Sequence, residues 1–244
     1  MSNIAKAFES RKALIAFLTA GVVDGTDTVK YVLEMEKAGA DIIELGVPFS
    51  DPVADGPIVL EADLKALKKG VHLPQVMDIA KKIREYSDIP LVFLTYYNPV
   101  FRYGGEKFFH DAKMINLDGI LIPDLPIEEQ GEIRPFTDKN GIDIIQVSAS
   151  VSKVRIDKIA DNAKGFISVM PTLGTEEPGR LLREICDVPV AVSADDAESE
   201  DISRLLEIYD GIIVGNKIVD IINKKGRDGI ADVRSYLTAL RKCM

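Results

Sequence analysis

The sequence predicts an α/β protein of the (β/α)8 TIM-barrel class, with residues 1–244 forming a single domain. Short apolar segments alternate with longer amphipathic segments along the whole chain, as expected for repeated strand–helix units. Eight such units follow one another without a linker or a change in composition, and 244 residues is an ordinary length for one barrel. A doubly wound open sheet is the alternative, but the chain has no GxGxxG turn to support it.

The apolar segments are predicted to be strands because β-branched and other apolar residues dominate them. The eight expected strands are Leu14–Leu18, Ile42–Leu45, Leu91–Thr95, Gly119–Ile122, Ile144–Val147, Phe166–Val169, Val190–Val192 and Gly211–Val214. The expected helices are Thr28–Ala38, Gln75–Tyr86, Glu106–Asn116, Glu128–Lys139, Val154–Asn162, Gly179–Cys186, Ser199–Ile208 and Asp228–Lys242. Gly39, Gly70 and Gly141 stand where helices are expected to end.

One local sequence recurs at the start of several strands. Asp41-Ile-Ile, Asp118-Gly-Ile and Asp210-Gly-Ile each stand between a helical segment and an apolar one. Similar units repeated around a closed sheet would produce this pattern, so it favours the barrel over the open sheet.

Composition limits the location and the classes of partner. Thirty Lys and Arg against thirty-nine Asp and Glu give a formal net charge of −9, which argues against nucleic acid or an anionic membrane as a partner. No apolar run approaches the roughly 18 residues of a membrane helix, and the first residues contain no signal-peptide core. Cys186 and Cys243 have no motif spacing, and neither HExxH nor CxxC occurs. We therefore expect a cytoplasmic protein without a protein-bound metal.

The most informative segment runs from residue 44 to residue 57 and reads ELGVPFSDPVADGP. Glu44 interrupts an apolar strand, where a carboxylate is costly unless it is paired or protonated. Such a cost is tolerated mostly where chemistry requires the group; a Glu at a strand end bonded to a nearby loop is the structural alternative. Three prolines stiffen the following loop, so that Asp51 and Asp55 can be held in defined places.

In a barrel of this class the active site lies at the carboxyl ends of the strands. The residues expected there are Thr19, Glu44, Tyr96, Asp124, Ser148, Met170, Ser193 and Gly215. Among them, Glu44 is the only ionisable residue within a strand. Asp124 stands between two prolines, so a role in forming a turn is at least as well supported as a catalytic one.

The segment 44–57 resembles the most distinctive signature of the α subunit of tryptophan synthase. Supporting matches are Phe17-Leu-Thr-Ala-Gly21, Thr95-Tyr-Tyr-Asn-Pro-Val-Phe101, Asp118-Gly-Ile-Leu-Ile-Pro-Asp-Leu-Pro126 and Gly211-Ile-Ile-Val-Gly-Asn-Lys-Ile-Val-Asp-Ile-Ile222. The resemblance covers nearly the whole chain. It implies a lyase that cleaves indole-3-glycerol phosphate to indole and glyceraldehyde 3-phosphate by a retro-aldol reaction, with no cofactor in this chain.

The resemblance also assigns roles to individual residues. Glu44 matches the catalytic acid, which protonates indole C3 and then takes a proton from the side-chain hydroxyl. Asp55 matches the carboxylate that accepts the indole N–H and stabilises the cationic ring. Two carboxylates in one small pocket should also push each other's pKa apart. The expected substrate-binding residues are Phe17, Leu94, Tyr96, Leu121, Ile213, Gly174, Thr175, Ser193, Gly215 and Asn216. Ordinary barrel core is the alternative for the apolar ones.

The expected phosphate site departs from the family pattern. Gly215 and Asn216 open a short helical segment and fit a site made of backbone N–H groups, although the family usually has Ser in place of Asn216. Asp195 falls where a phosphate-binding Gly is expected, and its charge repels a phosphate unless the side chain points away. Alternatively, Asp195 or Asp196 caps the helix that begins near Ser199.

The sixth loop and one wall of the pocket also depart from that pattern. The loop Met170–Pro178 is shorter than expected, and Gly174 and Thr175 would supply its glycine and hydroxyl. Ser168 stands where the family commonly has Tyr, and Ala194 stands where an aromatic residue is common.

The resemblance further implies a partner, a pyridoxal-phosphate-dependent β subunit in an α2β2-type complex, which would receive the indole. The matching contact segments are Pro48–Asp55, Asn98–Tyr103 and Asp124–Glu129, and Asn98–Tyr103 is expected to be an apolar loop bent by proline. Three alternatives stay open: a lyase that works alone, a weakly active barrel that serves as an allosteric partner of the β subunit, and an aldolase-like barrel acting on another phosphorylated substrate.

Overall fold

Nine parallel strands form one sheet in the computed structural model, which describes residues 2–149, 152–170, 176–195 and 199–244. The strands are β1 (Ala13–Thr19), β2 (Ile42–Gly46), β3 (Leu91–Leu94), β4 (Gly119–Leu121), β5 (Asp143–Ile144), β6 (Gln146–Ser148), β7 (Ile167–Val169), β8 (Val190–Ser193) and β9 (Gly211–Val214). Their spatial order is β5-β4-β3-β2-β1-β9-β8-β7-β6. The predicted barrel class is therefore confirmed.

The barrel closes at Ile145. The predicted fifth strand, Ile144–Val147, is divided at this residue: β5 pairs with β4, whereas β6 pairs with β7. The N–H of Ile145 still bonds to the carbonyl of Ile120 at 2.8 Å. The chain therefore changes neighbours here, and the backbone itself joins the two edges of the sheet.

Helices connect the strands as expected. They are α1 (Asn3–Lys6), α2 (Gly25–Lys37), α3 (Pro57–Lys68), α4 (Leu73–Arg84), α5 (Tyr97–Tyr103), α6 (Gly105–Met114), α7 (Arg134–Asn140), α8 (Lys153–Asn162), α9 (Glu176–Ile185), α10 (Ser199–Ile208), α11 (Asn216–Lys225) and α12 (Ile230–Cys243). Gly39, Gly70 and Gly141 follow helices with φ of +106°, +77° and +70°, so the predicted helix ends are confirmed. Within the described ranges, no helix is long and apolar enough to cross a membrane.

Proline explains two predictions that were wrong, one of a loop and one of a long helix. Asn98–Tyr103 was expected to be a loop but lies within α5, because Pro99 falls in the first turn, where a missing N–H is tolerated. The predicted helix Glu128–Lys139 consists instead of a 3-10 turn, Gln130–Glu132, and the shorter α7. Pro135 lies in the first turn of α7, where its missing N–H breaks no helical hydrogen bond.

The repeated Asp residues tie neighbouring strands together at the amino-terminal end of the barrel. The carboxylates of Asp41, Asp118 and Asp210 accept N–H groups at the start of the preceding strand, at 2.8, 2.9 and 3.0 Å. In return, each Asp donates its own N–H to the carbonyl of the same neighbouring residue. The residues so joined are Leu14, Leu91 and Val190. The recurring sequence is thus a recurring strand-to-strand contact.

The hydrophobic core has two parts, one inside the barrel and one between the strands and the helices. The inner part is formed by Ile4, Ile15, Ile42, Val92, Leu121, Ile145, Phe166, Ala191 and Ile213. Ile4 belongs to α1, and an added methyl group on Gly119 would lie 2.8 Å from its Cδ1. The amino-terminal end is therefore filled, and the opposite end holds the cavity described next.

Candidate active site

A cavity of about 210 Å³ opens at the carboxyl ends of the strands. Nine of the expected site residues line it: Phe17, Glu44, Asp55, Leu94, Leu121, Ser193, Ile213, Gly215 and Asn216. The lining also includes Ala54, Gly56, Val59, Pro123, Val147, Ser168, Met170 and Asp195. Gly174 and Thr175 lie outside the described residues. One cavity thus brings together two carboxylates expected to be catalytic and a third, Asp195, from the loop after β8.

Glu44 is buried in the wall of the cavity. It lies on β2, in register with Phe17 of β1 and Val92 of β3, and is 2% exposed. No group in the described part of the chain hydrogen-bonds to its Oε1. Burial, and secondarily the negative charge of Asp195, raises the pKa of Glu44 to about 8. Its carboxyl group is therefore mostly protonated at neutral pH.

Asp55 is held by Tyr96, which lies just behind the cavity wall. The Tyr96 hydroxyl donates to Oδ2 of Asp55 at 2.8 Å and accepts the N–H of Ala54 at 3.1 Å. The Tyr96 ring stacks on Phe49 with centroids 5.0 Å apart. Burial raises the pKa of Asp55, and the bond from Tyr96 lowers it. Tyr96 does not line the cavity itself, so its position is that of a residue that orients Asp55.

Glu44 and Asp55 were expected to shift each other's pKa, but each is coupled to a different carboxylate. The charged neighbour that raises the pKa of Glu44 is Asp195, and the charge that raises the pKa of Asp63 is Asp55. The carboxylates are thus coupled in two pairs. This arrangement depends on which loops meet above the barrel, and the sequence does not determine that directly.

Two glycines, one at the end of β2 and one directly after β9, set the position of the Phe17 ring. A Cβ atom on Gly46 would lie 2.8 Å from Cε2 of this ring, and one on Gly215 would lie 2.8 Å from Cδ1. Both distances are shorter than a Cβ atom tolerates, so both positions require glycine while the ring stays in place. The ring forms an apolar wall of the cavity together with Leu94, Leu121 and Ile213.

Asp195 lies at the amino-terminal end of α11. Its Oδ1 accepts the N–H of Gly215 at 2.5 Å and the N–H of Asn216 at 2.7 Å. The direction of this side chain, which the sequence left open, is therefore toward the expected anion site. The carboxylate is attracted by the unpaired N–H groups and the partial positive charge at the start of a helix.

Two further acidic residues lie near the site. Asp63, which was not predicted as a site residue, is buried on α3. Its carboxylate accepts hydrogen bonds from the Thr19 hydroxyl and the Phe49 N–H, at 3.3 Å each. Burial raises the pKa of Asp63 to about 7. Asp124 is exposed outside the cavity and accepts the N–H of Tyr97 at 2.9 Å. This contact joins Asp124 to the first residue of α5 and gives it a structural role outside the cavity.

The helical pattern contained a signal for Asp63. Residues 59, 62, 63 and 66 form the buried face of α3, with the spacing of an amphipathic helix. An acid among three apolar residues on such a face marks a buried carboxylate. The helix itself was missing from the predicted set, so this signal was not used.

The described residues contain no candidate metal-binding site. No group of three or more His, Cys, Asp or Glu side chains is placed there to hold a metal ion.

Comparison with known proteins gives a consistent result over the full length. The family model described as tryptophan synthase alpha chain matches residues 4–243. The tryptophan synthase alpha chain of Thermoanaerobacter pseudethanolicus is 40% identical, with all of both chains covered. That of Lacticaseibacillus casei is 39% identical over 99% of this chain and 95% of its own length.

Solved structures agree with the sequence comparison. The fold is similar to a chain of the tryptophan synthase complex from Pyrococcus furiosus, with a TM-score of 0.90 and 33% identity over 95% of this chain and 98% of that one. It is also similar to the tryptophan synthase alpha chain from Legionella pneumophila, with a TM-score of 0.90 and 25% identity over 100% and 97% of the two chains. The sequence, the barrel and the cavity lead to one conclusion: this chain belongs to the tryptophan synthase alpha chain family.

Proposed function

We propose that Glu44 and Asp55 carry out the reaction of this family, the cleavage of indole-3-glycerol phosphate to indole and glyceraldehyde 3-phosphate. The observation that carries the proposal is the state of Glu44. Its carboxyl group is buried beside an apolar cavity, and its pKa is about 8. A carboxylic acid that is protonated at neutral pH can act as a general acid where an ordinary glutamate cannot.

Glu44 transfers two protons in the proposed cycle. Its carboxyl group first donates a proton to C3 of the indole ring, which leaves a cationic iminium ring. The resulting carboxylate then removes the proton of the hydroxyl on the side-chain carbon attached to C3. The electron pair of that O–H bond forms the aldehyde carbonyl, the C–C bond breaks, and its electron pair restores the neutral ring. Glu44 ends protonated, so no external acid is consumed.

Asp55 stabilises the charge that develops during this cycle. As an anion it accepts the indole N–H, whose nitrogen bears positive charge once C3 is protonated. Preorganised groups of this kind typically contribute about 3–4 kcal/mol to the transition state. The hydrogen bond from Tyr96 favours the ionised form of Asp55 and fixes its direction.

The cavity offers different surroundings to the two halves of the substrate. The indole ring fits among Phe17, Leu94, Leu121 and Ile213, which line one cavity. The phosphate is proposed to bind at Ser193 and at the N–H groups of Gly215 and Asn216, which line the same cavity. Gly174 and Thr175 are proposed contacts from the sixth loop.

The exposed apolar residues support a partner subunit. Val53 is 79% exposed and Phe101 is 65% exposed, and both lie in segments expected to contact a β subunit. Large exposed apolar side chains beside an active site favour a protein interface. We propose that this chain passes indole to a tryptophan synthase β subunit, which would carry the pyridoxal phosphate, and that this chain needs no cofactor of its own. The free thiols of Cys186 and Cys243 suit a reducing cytoplasm.

The experiment is the release of indole from indole-3-glycerol phosphate, measured with and without a tryptophan synthase β subunit. Slow release by the isolated chain and a large increase on adding β supports the proposal. Fast release that β leaves unchanged indicates a lyase that works alone. No release in either condition contradicts the proposed substrate.

A further inference from the structure

The carboxylate of Asp195 lies where the proposed phosphate contacts converge. A single oxygen, Oδ1, accepts both the N–H of Gly215 and that of Asn216, at 2.5 and 2.7 Å. Asn216 is the first residue of α11, a helix of ten residues. An oxygen of a bound phosphate would bond to the same two N–H groups, because both belong to residues that line the cavity at the start of a helix.

The described lining of the cavity contains no cationic side chain that would offset the charge of a phosphate bound beside Asp195. Among the described residues that form the cavity there are three acids, Glu44, Asp55 and Asp195, and neither Lys nor Arg. A phosphate bound here would depend on backbone N–H groups for its stabilisation. A carboxylate and a phosphate dianion on the same donors also repel each other strongly at such short separation.

We propose that Asp195 is a specificity-determining residue that competes, as an internal anion, with the phosphate of the substrate for the N–H groups of Gly215 and Asn216. A phosphorylated ligand binds only when this carboxylate leaves the start of α11. The free energy of that displacement weakens the affinity for every ligand that places a phosphate there. The inference rests on the proposed function only in taking phosphate as the ligand group at this site.

The test measures binding of glycerol 3-phosphate, a phosphate monoester without an indole ring, to the isolated chain by calorimetry. Asp195→Ala removes the competing acceptor, and Asp195→Asn removes its charge but keeps one acceptor oxygen. We expect Asp195→Ala to bind about tenfold more tightly than wild type, with Asp195→Asn between the two. Thermal unfolding of each variant checks that it is folded; if the alanine variant does not fold, the asparagine variant carries the comparison.

Asp187→Asn is the matched control. Asp187 is exposed in the segment before β8, whereas Asp195 follows the same strand, so both changes remove one negative charge but only one empties the helix start. Unchanged affinity in the control, together with tighter binding at position 195, supports the inference. Equal or weaker binding by both Asp195 variants overturns it, and would leave Asp195 as a cap of α11 only.

The binding test of Asp195 and the activity test of the proposed function can fail independently of each other. Glycerol 3-phosphate binding involves no turnover and no proton transfer by Glu44. A chain that cleaves indole-3-glycerol phosphate but gains no affinity on losing the Asp195 carboxylate contradicts the inference alone. A chain that gains affinity but cleaves nothing contradicts the proposed function alone.

Discussion

The hydroxyl of Tyr96 donates a 2.8 Å hydrogen bond to Oδ2 of Asp55. This bond joins a buried residue just after β3 to the loop that follows β2, and so fixes a carboxylate that burial would otherwise favour in its neutral form. Tyr96 thus acts on the proposed reaction through Asp55 and not by touching the cavity.

Tyr96→Phe should lower kcat/KM for indole release by about tenfold or more, since hydrogen bonds to charged groups contribute about 1.5–3 kcal/mol. The phenylalanine keeps the ring that stacks on Phe49 but leaves Asp55 without this donor, so the pKa of Asp55 rises further. The control is Tyr86→Phe, at an exposed position just after α4. If Tyr96→Phe retains full kcat/KM, then Tyr96 does not orient Asp55 for the reaction.

Glu44 should make the protein less stable as the pH rises. Its pKa is about 8 in the folded chain against an ordinary value of 4.5, so between these two values the folded state holds a proton that the unfolded state has released. The free energy of unfolding therefore falls as the pH increases through this window.

Glu44→Gln removes the titrating group. At pH 9 we expect the variant to be more stable than wild type by on the order of 4 kcal/mol, with no such gain at pH 5. Denaturant unfolding at both pH values measures the difference, with the exposed Glu85→Gln as control. The same pH dependence in wild type and Glu44→Gln would show that Glu44 is not protonated in the folded state.

Gly46→Ala should displace the Phe17 ring. The added methyl group would lie 2.8 Å from ring carbons, and overpacking of this kind costs about 1–3 kcal/mol of stability. Adding Phe17→Leu should restore part of the loss, because a smaller side chain relieves the clash. Gly131→Ala is the control, since no atom lies within 4 Å of its new Cβ. Additive effects of the two changes would contradict the contact.

Phe101→Glu should weaken binding to a β subunit by about tenfold or more, as expected for an aromatic residue at the centre of an interface. Phe101 is 65% exposed on α5, and a charge there would have to be desolvated on binding. Tyr86→Glu, at a similarly exposed aromatic residue on another part of the surface, is the control. Titration of labelled β subunit measures both, and equal affinity of the two variants would place the interface elsewhere.

The barrel and its principal carboxylate were predictable from the sequence because both depend on local patterns. Eight apolar segments with helices between them fix the class of fold, and Glu44 stands out as an acid inside one such segment. The three strand-leading Asp residues were visible as a repeat, and the structure supplies their reason in the paired hydrogen bonds to the neighbouring strand.

The parts that failed depend on context that a local pattern does not contain. Pro99 was taken as a sign of a loop, yet in the first turn of α5 it costs no hydrogen bond. The contact of Asp195 with Gly215 joins residues 20 positions apart, and it arises from the approach of two loops above the barrel. The sequence predicted that Asp195 lies near the anion site, but the direction of its side chain could be determined only from the folded structure.

Glu44→Gln tests the central claim most directly, through the rate of indole release from indole-3-glycerol phosphate in the presence of a β subunit. The amide has nearly the same shape but no proton to give, so we expect the rate to fall by about 10²–10⁴-fold, while circular dichroism and β-subunit binding stay unchanged. A variant that is folded, binds β and releases indole at the wild-type rate would contradict the assignment of Glu44 as the catalytic acid.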